Sequence, residues 1–108
     1  MITYLLNATL AKAETYLRMG RLACFLERYY LKQGHYPEKL DELPDLPPHL
    51  NQEVLSEQPL HYQRKGNGYL LYSVGLDRTD HGGVPSGPRV VDGQNVQNAD
   101  YDWVWPSP

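Results

Sequence analysis

The sequence is poor in cysteine, has no excess of cationic residues and contains no long apolar run. A single cysteine, Cys24, allows neither an internal disulfide nor a zinc site built from several thiolates. Ten Lys and Arg against thirteen Asp and Glu give a formal net charge of −3, which argues against nucleic acid as the main partner because phosphate binding needs clustered, excess cations. With 108 residues, of which 41% are hydrophobic and 21% charged, the chain predicts one small globular domain.

Membrane-spanning and catalytic motifs are also missing from the sequence. Asn7 and Lys12 interrupt the most apolar stretch well short of the ~20 residues that span a bilayer, and the basic start and cleavage site of a signal peptide are lacking. Ser86 has no nucleophile-elbow spacing, and the four histidines are dispersed. Cys24 falls among the apolar residues of a predicted helix and is expected to be a packed thiol rather than a nucleophile. We therefore expect no enzymatic activity.

The first third of the chain predicts one long helix. Residues 1–33 contain no proline and a single glycine, Gly20, where we expect a kink or break. Gly34 fits a left-handed C-terminal cap, and Pro37 follows three residues later. Apolar residues recur at helical spacing on one stripe of Leu6, Leu10, Ala13 and Leu17, and on a stripe that continues it with Met19, Leu22 or Ala23, Leu26 and Tyr30.

The whole chain, 1–108, is expected to form a single domain in three parts. After the helix, residues 34–59 predict a short helix followed by a proline-rich loop, with Leu40 and Leu43 of the short helix facing inward. Residues 60–106 then predict a sheet and an acidic loop, because the apolar period changes there.

Three strands are predicted within that last part. The β-rich runs at 60–65 and 69–74 flank Asn67-Gly68, which is typical of a tight hairpin turn, and a third strand is expected at 102–105. Residues 75–101 are rich in Gly and Asp and lack an apolar period, so we expect a long loop there. The predicted fold class is α+β, with the long N-terminal helix packed on a three-stranded antiparallel sheet and the Gly/Asp-rich loop before the last strand.

Four aspartates stand at the two ends of that loop. Asp77 and Asp80 are three residues apart among glycines, and Asp100 and Asp102 precede the last predicted strand. If both segments flank one sheet edge, the carboxylates converge, and a hard cation with oxygen ligands would offset their repulsion. The pattern is therefore typical either of a solvated acidic loop or of a cation site.

Four pieces of sequence also occur in a recognisable order. They are "LACFLERYYLKQGHYPEKLDEL", "QPLHYQRKGNGYLLYSVGLD", "DHGG" and "DWVWP". Together they span roughly residues 17–106, and this order resembles the C-terminal domain of type II secretion pseudopilins of the major, G-type class. It is also similar to G-like domains in larger bacterial hypothetical proteins. The resemblance implies a long helix packed across a three-stranded antiparallel sheet.

The same resemblance implies a calcium site in the loop before the last strand. Asp77 and Asp102 match acidic positions of the family's pattern, and Asp80 and Asp100 match it more loosely. Leu76 would supply a backbone carbonyl as a further ligand. Calcium is thus the cofactor that the resemblance predicts.

The function implied is that of a non-enzymatic structural subunit in bacterial protein transport, located in the periplasm or cell envelope. We expect contacts with other subunits or domains through the N-terminal helix, no nucleic acid partner and no membrane contact for this fragment. A pseudopilin carries a leader and a membrane helix, so the chain is expected to be either a trimmed piece or the end of a longer protein. The alternative function is a protein-interaction scaffold domain of a larger bacterial protein outside secretion, for which the location is unknown.

Overall fold

The computed structural model describes residues 2–47, 49–54, 58–75 and 80–106, without the side chains of 2–8, 91, 96, 98 and 100. One long helix and five strands are present in this part of the chain. They are α1 (Ile2–Gln33), a 3₁₀ turn (Leu40–Glu42), β1 (His61–Lys65), β2 (Gly68–Ser73), β3 (Ser86–Val91), β4 (Gln94–Asp100) and β5 (Trp103–Trp105). β1, β2 and β5 form an antiparallel sheet with β2 in the middle, and β3 and β4 form a separate two-stranded ribbon.

The long helix is confirmed, and it runs through Gly20 without a break. Gly20 has a packing role instead, because a Cβ there would lie 3.2 Å from the ring of Trp105 in β5. The helix ends as expected: Gly34 has φ +81°, and its N–H donates to the carbonyl of Tyr30 at 2.8 Å. Within the described part of the chain, no helix combines the length and apolar character that crossing a membrane requires.

The buried face of α1 differs from the expected stripe in its N-terminal half. Leu10 and Leu17 are 59% and 62% exposed. Residues 17 and 19 lie roughly 200° apart around a helix, so the two halves of the expected stripe cannot both face the sheet. Thr15 is polar but buried. Its hydroxyl donates to the carbonyl of Ala11 at 2.8 Å, so its hydrogen bond is made within the helix. The buried residues of the helix are Ala11, Thr15, Met19, Leu22, Ala23 and Leu26.

The core lies between this face of α1 and the three-stranded sheet. Leu71 of β2 and Trp103 of β5 are 0% and 1% exposed and pack with the helix residues. Leu40 and Leu43 are buried in the same cluster, as expected, although Leu40 begins a 3₁₀ turn and Leu43 directly follows it, in place of a short α-helix. The apolar periods of the helix and of β2 therefore meet in one cluster, which supplies most of the burial.

The β1–β2 hairpin is present, with its turn one residue earlier than expected. Lys65 pairs with Gly68, so Gly66 and Asn67 form the two-residue loop, and Gly66 carries the positive φ of +56°. This is the Gly-first arrangement that suits a two-residue hairpin loop. Gly68 is the first residue of β2 rather than a turn residue.

The segment predicted as a long loop contains the β3–β4 ribbon, so that prediction is wrong. Asp92 and Gly93 have φ +51° and +77° and join the two strands, as two-residue hairpin loops with Asp-Gly commonly do. The strands are polar and lack a regular apolar alternation, and the pairing is shifted between Gly87 and Arg89. The apolar period therefore did not indicate these two strands, although the Asp-Gly pair was a local sequence signal for a hairpin turn.

Candidate functional site

Residues 80–83 form a tight turn that two aspartates hold, and we call it the acidic turn. Asp102, just before β5, is 1% exposed, and one of its carboxylate oxygens accepts the N–H groups of His81 at 3.1 Å and Gly83 at 2.8 Å. Gly82 and Gly83 have φ +69° and +85°, which a side chain at either position would disfavour. The glycines thus let the backbone point its N–H groups at the buried carboxylate.

The chain beyond the acidic turn is held to the same segment by its backbone. Asp102 donates its N–H to the carbonyl of Val84 at 3.1 Å, and Tyr101 donates to that of Pro85 at 3.0 Å. The Tyr101 hydroxyl donates to the carbonyl of Pro88 in β3. Gly87 lies against the Tyr101 ring, with no room for a Cβ between them. Asp102 and Tyr101 therefore fix the start of the β3–β4 ribbon to the start of β5.

Asp80 lies at the solvent-exposed side of the acidic turn. One of its carboxylate oxygens accepts the N–H of Gly82 and the hydroxyl of Tyr72, each at 2.8 Å. Nδ1 of His61 is 3.6 Å from the other oxygen, and the His61 ring stacks on that of Tyr72. The Gly82 and Tyr72 hydrogen bonds lower the pKa of Asp80 because they stabilise its ionised form.

Burial has the opposite effect on Asp102. Removal from water raises the pKa of the Asp102 carboxyl, and the N–H groups of Gly83 and His81 offset only part of that rise. The His81 ring stacks on Tyr101 with the ring centres 3.6 Å apart, and its Nδ1 is 3.6 Å from the carboxylate. The pKa values of Asp80 and Asp102 are therefore shifted in opposite directions by their surroundings.

The structure brings two of the predicted ligands together. Asp80 and Asp102 share the acidic turn, whereas Asp77 and Leu76 lie outside the described residues. Asp100 ends β4 opposite Ser86, and its side chain is not among those described. Calcium needs six to eight oxygens, and no group of three or more His, Cys, Asp or Glu residues suited to a metal occurs in the described part of the chain. Calcium stays a prediction, and it depends also on Asp77, Asp100 and Leu76.

A second carboxylate with a structural role was not indicated by the sequence. Glu53 is 5% exposed, and its Oε1 accepts the N–H of Val74 at 2.8 Å, next to the end of β2. Its neighbour Leu60 donates its N–H to the carbonyl of Asn51 at 2.8 Å. Nothing in the local sequence distinguishes Glu53 from an exposed loop residue, because its partner is 21 positions away.

A second side of α1, beyond the one that the core buries, is also apolar. Leu10 and Leu17 are exposed on it, and Cys24, expected to be packed, is exposed there too. A groove of about 640 Å³ runs along this side with Trp105 of β5 as one wall. The sequence did indicate this apolar surface, as the stripe through Leu10 and Leu17, but that stripe was expected to face the sheet. We call this surface the outer helix face; it consists of Leu10, Ala13, Leu17, Gly20 and Cys24.

Comparison with known proteins assigns the chain to no family. No protein-family model matches the sequence, no curated protein matches it, and no solved structure matches the fold. The likeness to G-type pseudopilins therefore rests on the four sequence pieces alone. The architecture, one long helix on a small antiparallel sheet, comes from the structure of this chain itself.

Proposed function

We propose that this protein is a non-enzymatic assembly module that resembles the soluble domain of a type II secretion pseudopilin and acts in the bacterial periplasm or cell envelope. The observation that carries the proposal is that α1 has two apolar sides and the sheet covers one. Met19 and Leu22 are fully buried, while Leu17, close to them in the chain, is 62% exposed. A helix that is apolar on both sides is expected to be buried on both sides, which favours a second protein surface against it.

The four sequence pieces support the proposal that this helix belongs to a secretion assembly. The segment from Leu22 to Leu43 and the β1–β2 hairpin carry the family resemblance, and both belong to the part of the molecule in which helix and sheet pack together. The alternative is a scaffold domain of a larger protein with no part in secretion. The same helix would then contact a different partner, because a fold does not determine a function.

Deletion of the gene in its own bacterium separates these alternatives. We expect the deletion strain to retain inside the cell one or more proteins that the parent secretes, and the intact gene to restore their export. A gene with Lys65→Glu, a change at an exposed hairpin tip, should restore export equally well. One with Leu22→Asp, which places a charge in the core, should not. Secretion that is unchanged by the deletion would exclude the secretion role and leave the scaffold.

Calcium binding at the loop before β5 forms part of the proposal. Asp80 and Asp102 would contribute carboxylates from the acidic turn, and Asp77, Asp100 and the Leu76 carbonyl would have to complete the set. Closing the loop on a cation would add to the two aspartates' present role of accepting backbone N–H groups. Thermal unfolding with calcium and with chelator tests this part separately from the secretion experiment.

A further inference from the structure

The outer helix face has the spacing of a helix-packing seam. Its five members follow one another at alternating intervals of three and four residues, which keeps them on one side of a helix that packs against another helix. The large members, Leu10 and Leu17, are 59% and 62% exposed, and the other three, Ala13, Gly20 and Cys24, are small. Alternation of large and small residues leaves holes into which the side chains of a second helix can insert.

Trp105 deepens this seam on one side. Its ring lies against Gly20, where a Cβ would be 3.2 Å away, and it lines the same groove as Leu17 and Cys24. The groove wall is apolar, and Trp105 is only partly buried. An incoming apolar side chain would bury the exposed parts of Leu17 and Trp105 together, and removing this apolar surface from water favours binding.

The other side of the seam carries positive charge. Arg21 and Arg28 are one heptad apart and exposed, in the positions that flank a helix-packing seam. Arg18 lies on the same side, but its guanidinium donates to the carbonyls of His49 and Gln52 and to Glu14. The charge that the flank offers to a partner is therefore that of Arg21 and Arg28.

We propose that the outer helix face binds an amphipathic helix of a different protein, whose flank carries acidic residues opposite Arg21 and Arg28. The inference rests on the proposed assembly role and names the chemistry of the partner. Carboxylates set one heptad apart would meet both guanidinium groups, whose planar shape suits paired hydrogen bonds to a carboxylate. Charges at these flanking positions set the choice of partner in helix pairs.

A second copy of the chain fits this surface less well. In a parallel pair, the flank of Arg21 and Arg28 would face the opposite flank of the copy, where Tyr16, Ala23 and Tyr30 carry no charge. In an antiparallel pair centred on Gly20, Arg21 would approach Arg21 of the copy, and like charges that face each other oppose association. The parallel arrangement leaves both arginines without a carboxylate. The antiparallel one leaves Arg21 without one and offers Arg28 only Glu14 of the copy, which already pairs with Arg18 at 3.3 Å.

Two synthetic peptides of about three heptads test the proposal directly. Both have the same leucine and alanine seam, but one carries Glu and the other Lys at the flanking positions. Binding to the folded chain is followed by the fluorescence of Trp105, since Trp103 is 1% exposed and already shielded. We expect the Glu peptide to bind at least ~10-fold more tightly at low salt, with the difference shrinking as salt screens the charges.

Variants of the chain locate the binding. Arg21→Glu with Arg28→Glu should reverse the preference toward the Lys peptide, and Leu17→Glu should abolish binding of both. Leu17→Glu should leave the melting temperature unchanged because Leu17 is exposed. Lys65→Glu, a charge reversal elsewhere on the chain, should leave binding unchanged.

Three results would overturn the proposal. The first is binding of neither peptide, and the second is equal binding of the two peptides or a preference for Lys. The third is a concentration-dependent dimer that Leu17→Glu abolishes, because a second copy would then occupy the face. Absence of peptide binding leaves the secretion experiment unaffected, and unchanged secretion leaves the peptide experiment unaffected. The two failures are therefore distinguishable.

Discussion

The helix–sheet unit and the β3–β4 ribbon are held together by different kinds of interaction. In the first, Met19 and Leu22 of α1 pack with Leu71 of β2, and all three are fully buried. In the second, the acidic turn and Tyr101 supply hydrogen bonds, and Ala99 is the buried apolar residue among the described side chains of the two strands. Apolar burial stabilises the helix–sheet unit, whereas hydrogen bonds of polar groups hold the ribbon in place.

This difference matters for function because the two units offer different surfaces. The helix–sheet unit presents the outer helix face, on which Leu17 is exposed whereas Leu22 is buried in the core. The ribbon is joined to the unit at Gly75 and Asp102, and a Cβ at Gly75 would lie 2.5 Å from the carbonyl of Tyr101. We therefore expect changes in the core to lower the free energy of global unfolding, and changes at the acidic turn to affect the local opening of the ribbon first.

The largest effect should come from the core. Leu22→Ala should lower the free energy of unfolding by about 2–5 kcal/mol, since it removes a fully buried side chain and leaves a cavity. Leu17→Ala makes the same chemical change on the exposed side of the helix and should cost less than about 0.5 kcal/mol. Urea unfolding measures both. Equal losses for the two variants would mean that the buried side of α1 has been assigned wrongly.

The helix–sheet unit was largely predictable from the sequence, because burial on one side leaves a periodic pattern. The expected helix 1–33 is α1 (Ile2–Gln33), and the expected strand at 69–74 is β2 (Gly68–Ser73). The assignment of the helix sides failed because α1 has two apolar stripes, and periodicity does not tell which of them a sheet covers. Leu17 and Met19 satisfy the same pattern on opposite sides.

The ribbon and the acidic turn were not predictable in the same way. β4 is rich in Gln and Asn and has no apolar period, so its only local signal was the Asp92-Gly93 pair. Asp102 was singled out as a calcium ligand, and in the structure it accepts the N–H groups of residues 81 and 83. Such contacts between residues distant in the chain arise from the fold, and the spacing of residues in the sequence does not predict them.

Calcium binding tests the difference between the two units, because the bound ion would stabilise the ribbon end of the molecule. At 100-fold excess over the dissociation constant, the bound ion should add ~2.7 kcal/mol, which for a domain of this size raises the melting temperature by roughly 10 °C. Chelator should remove the increase, and Asp77→Ala should abolish it. A parent protein that melts at one temperature under both conditions would exclude the site, and an increase that persists in Asp77→Ala would place it on other residues.

Loss of the buried carboxylate should be the next effect in size. Asp102→Ala leaves the N–H groups of His81 and Gly83 without their acceptor and should cost about 1–3 kcal/mol. Asp80→Ala removes a carboxylate that also accepts two hydrogen bonds but is half-exposed, so it should cost less. Chemical unfolding of the two variants checks the order. A greater loss for Asp80→Ala would contradict the structural role given to Asp102.

The same two positions predict opposite pH dependences. The raised pKa of Asp102 means that its contribution to stability grows as pH falls through that pKa, because protonation relieves the cost of burying the charge. The lowered pKa of Asp80 means that its contribution is present above the ordinary value of 3.8 and is lost as pH falls toward the lower, folded-state pKa. In unfolding measured between neutral and acid pH, the parent should gain stability relative to Asp102→Asn and lose it relative to Asp80→Asn. Slopes of the same sign would refute this assignment.

The smallest effect should come from the turn of the ribbon. Gly93→Ala should cost about 1 kcal/mol because residue 93 has φ +77°, although no atom lies within 4 Å of the added Cβ. Gly68→Ala is the matched change next to the other hairpin turn, where φ is not in the left-handed region and the nearest atom is 3.8 Å away. It should be close to neutral. Thermal unfolding compares them, and equal costs would show that the backbone conformation at residue 93 is not the cause.

Hydrogen exchange of the backbone amides in the parent and in Leu22→Ala tests the division into two units most directly. If the ribbon opens locally, the amides of β3 and β4 exchange with the same opening free energy in both proteins, and that value lies below the one for α1. The α1 amides near Leu22 should lose protection in the variant by the full change in unfolding free energy, about 2–5 kcal/mol. An equal loss of protection in α1 and in the ribbon would contradict the account, because the molecule would then open as a single cooperative unit.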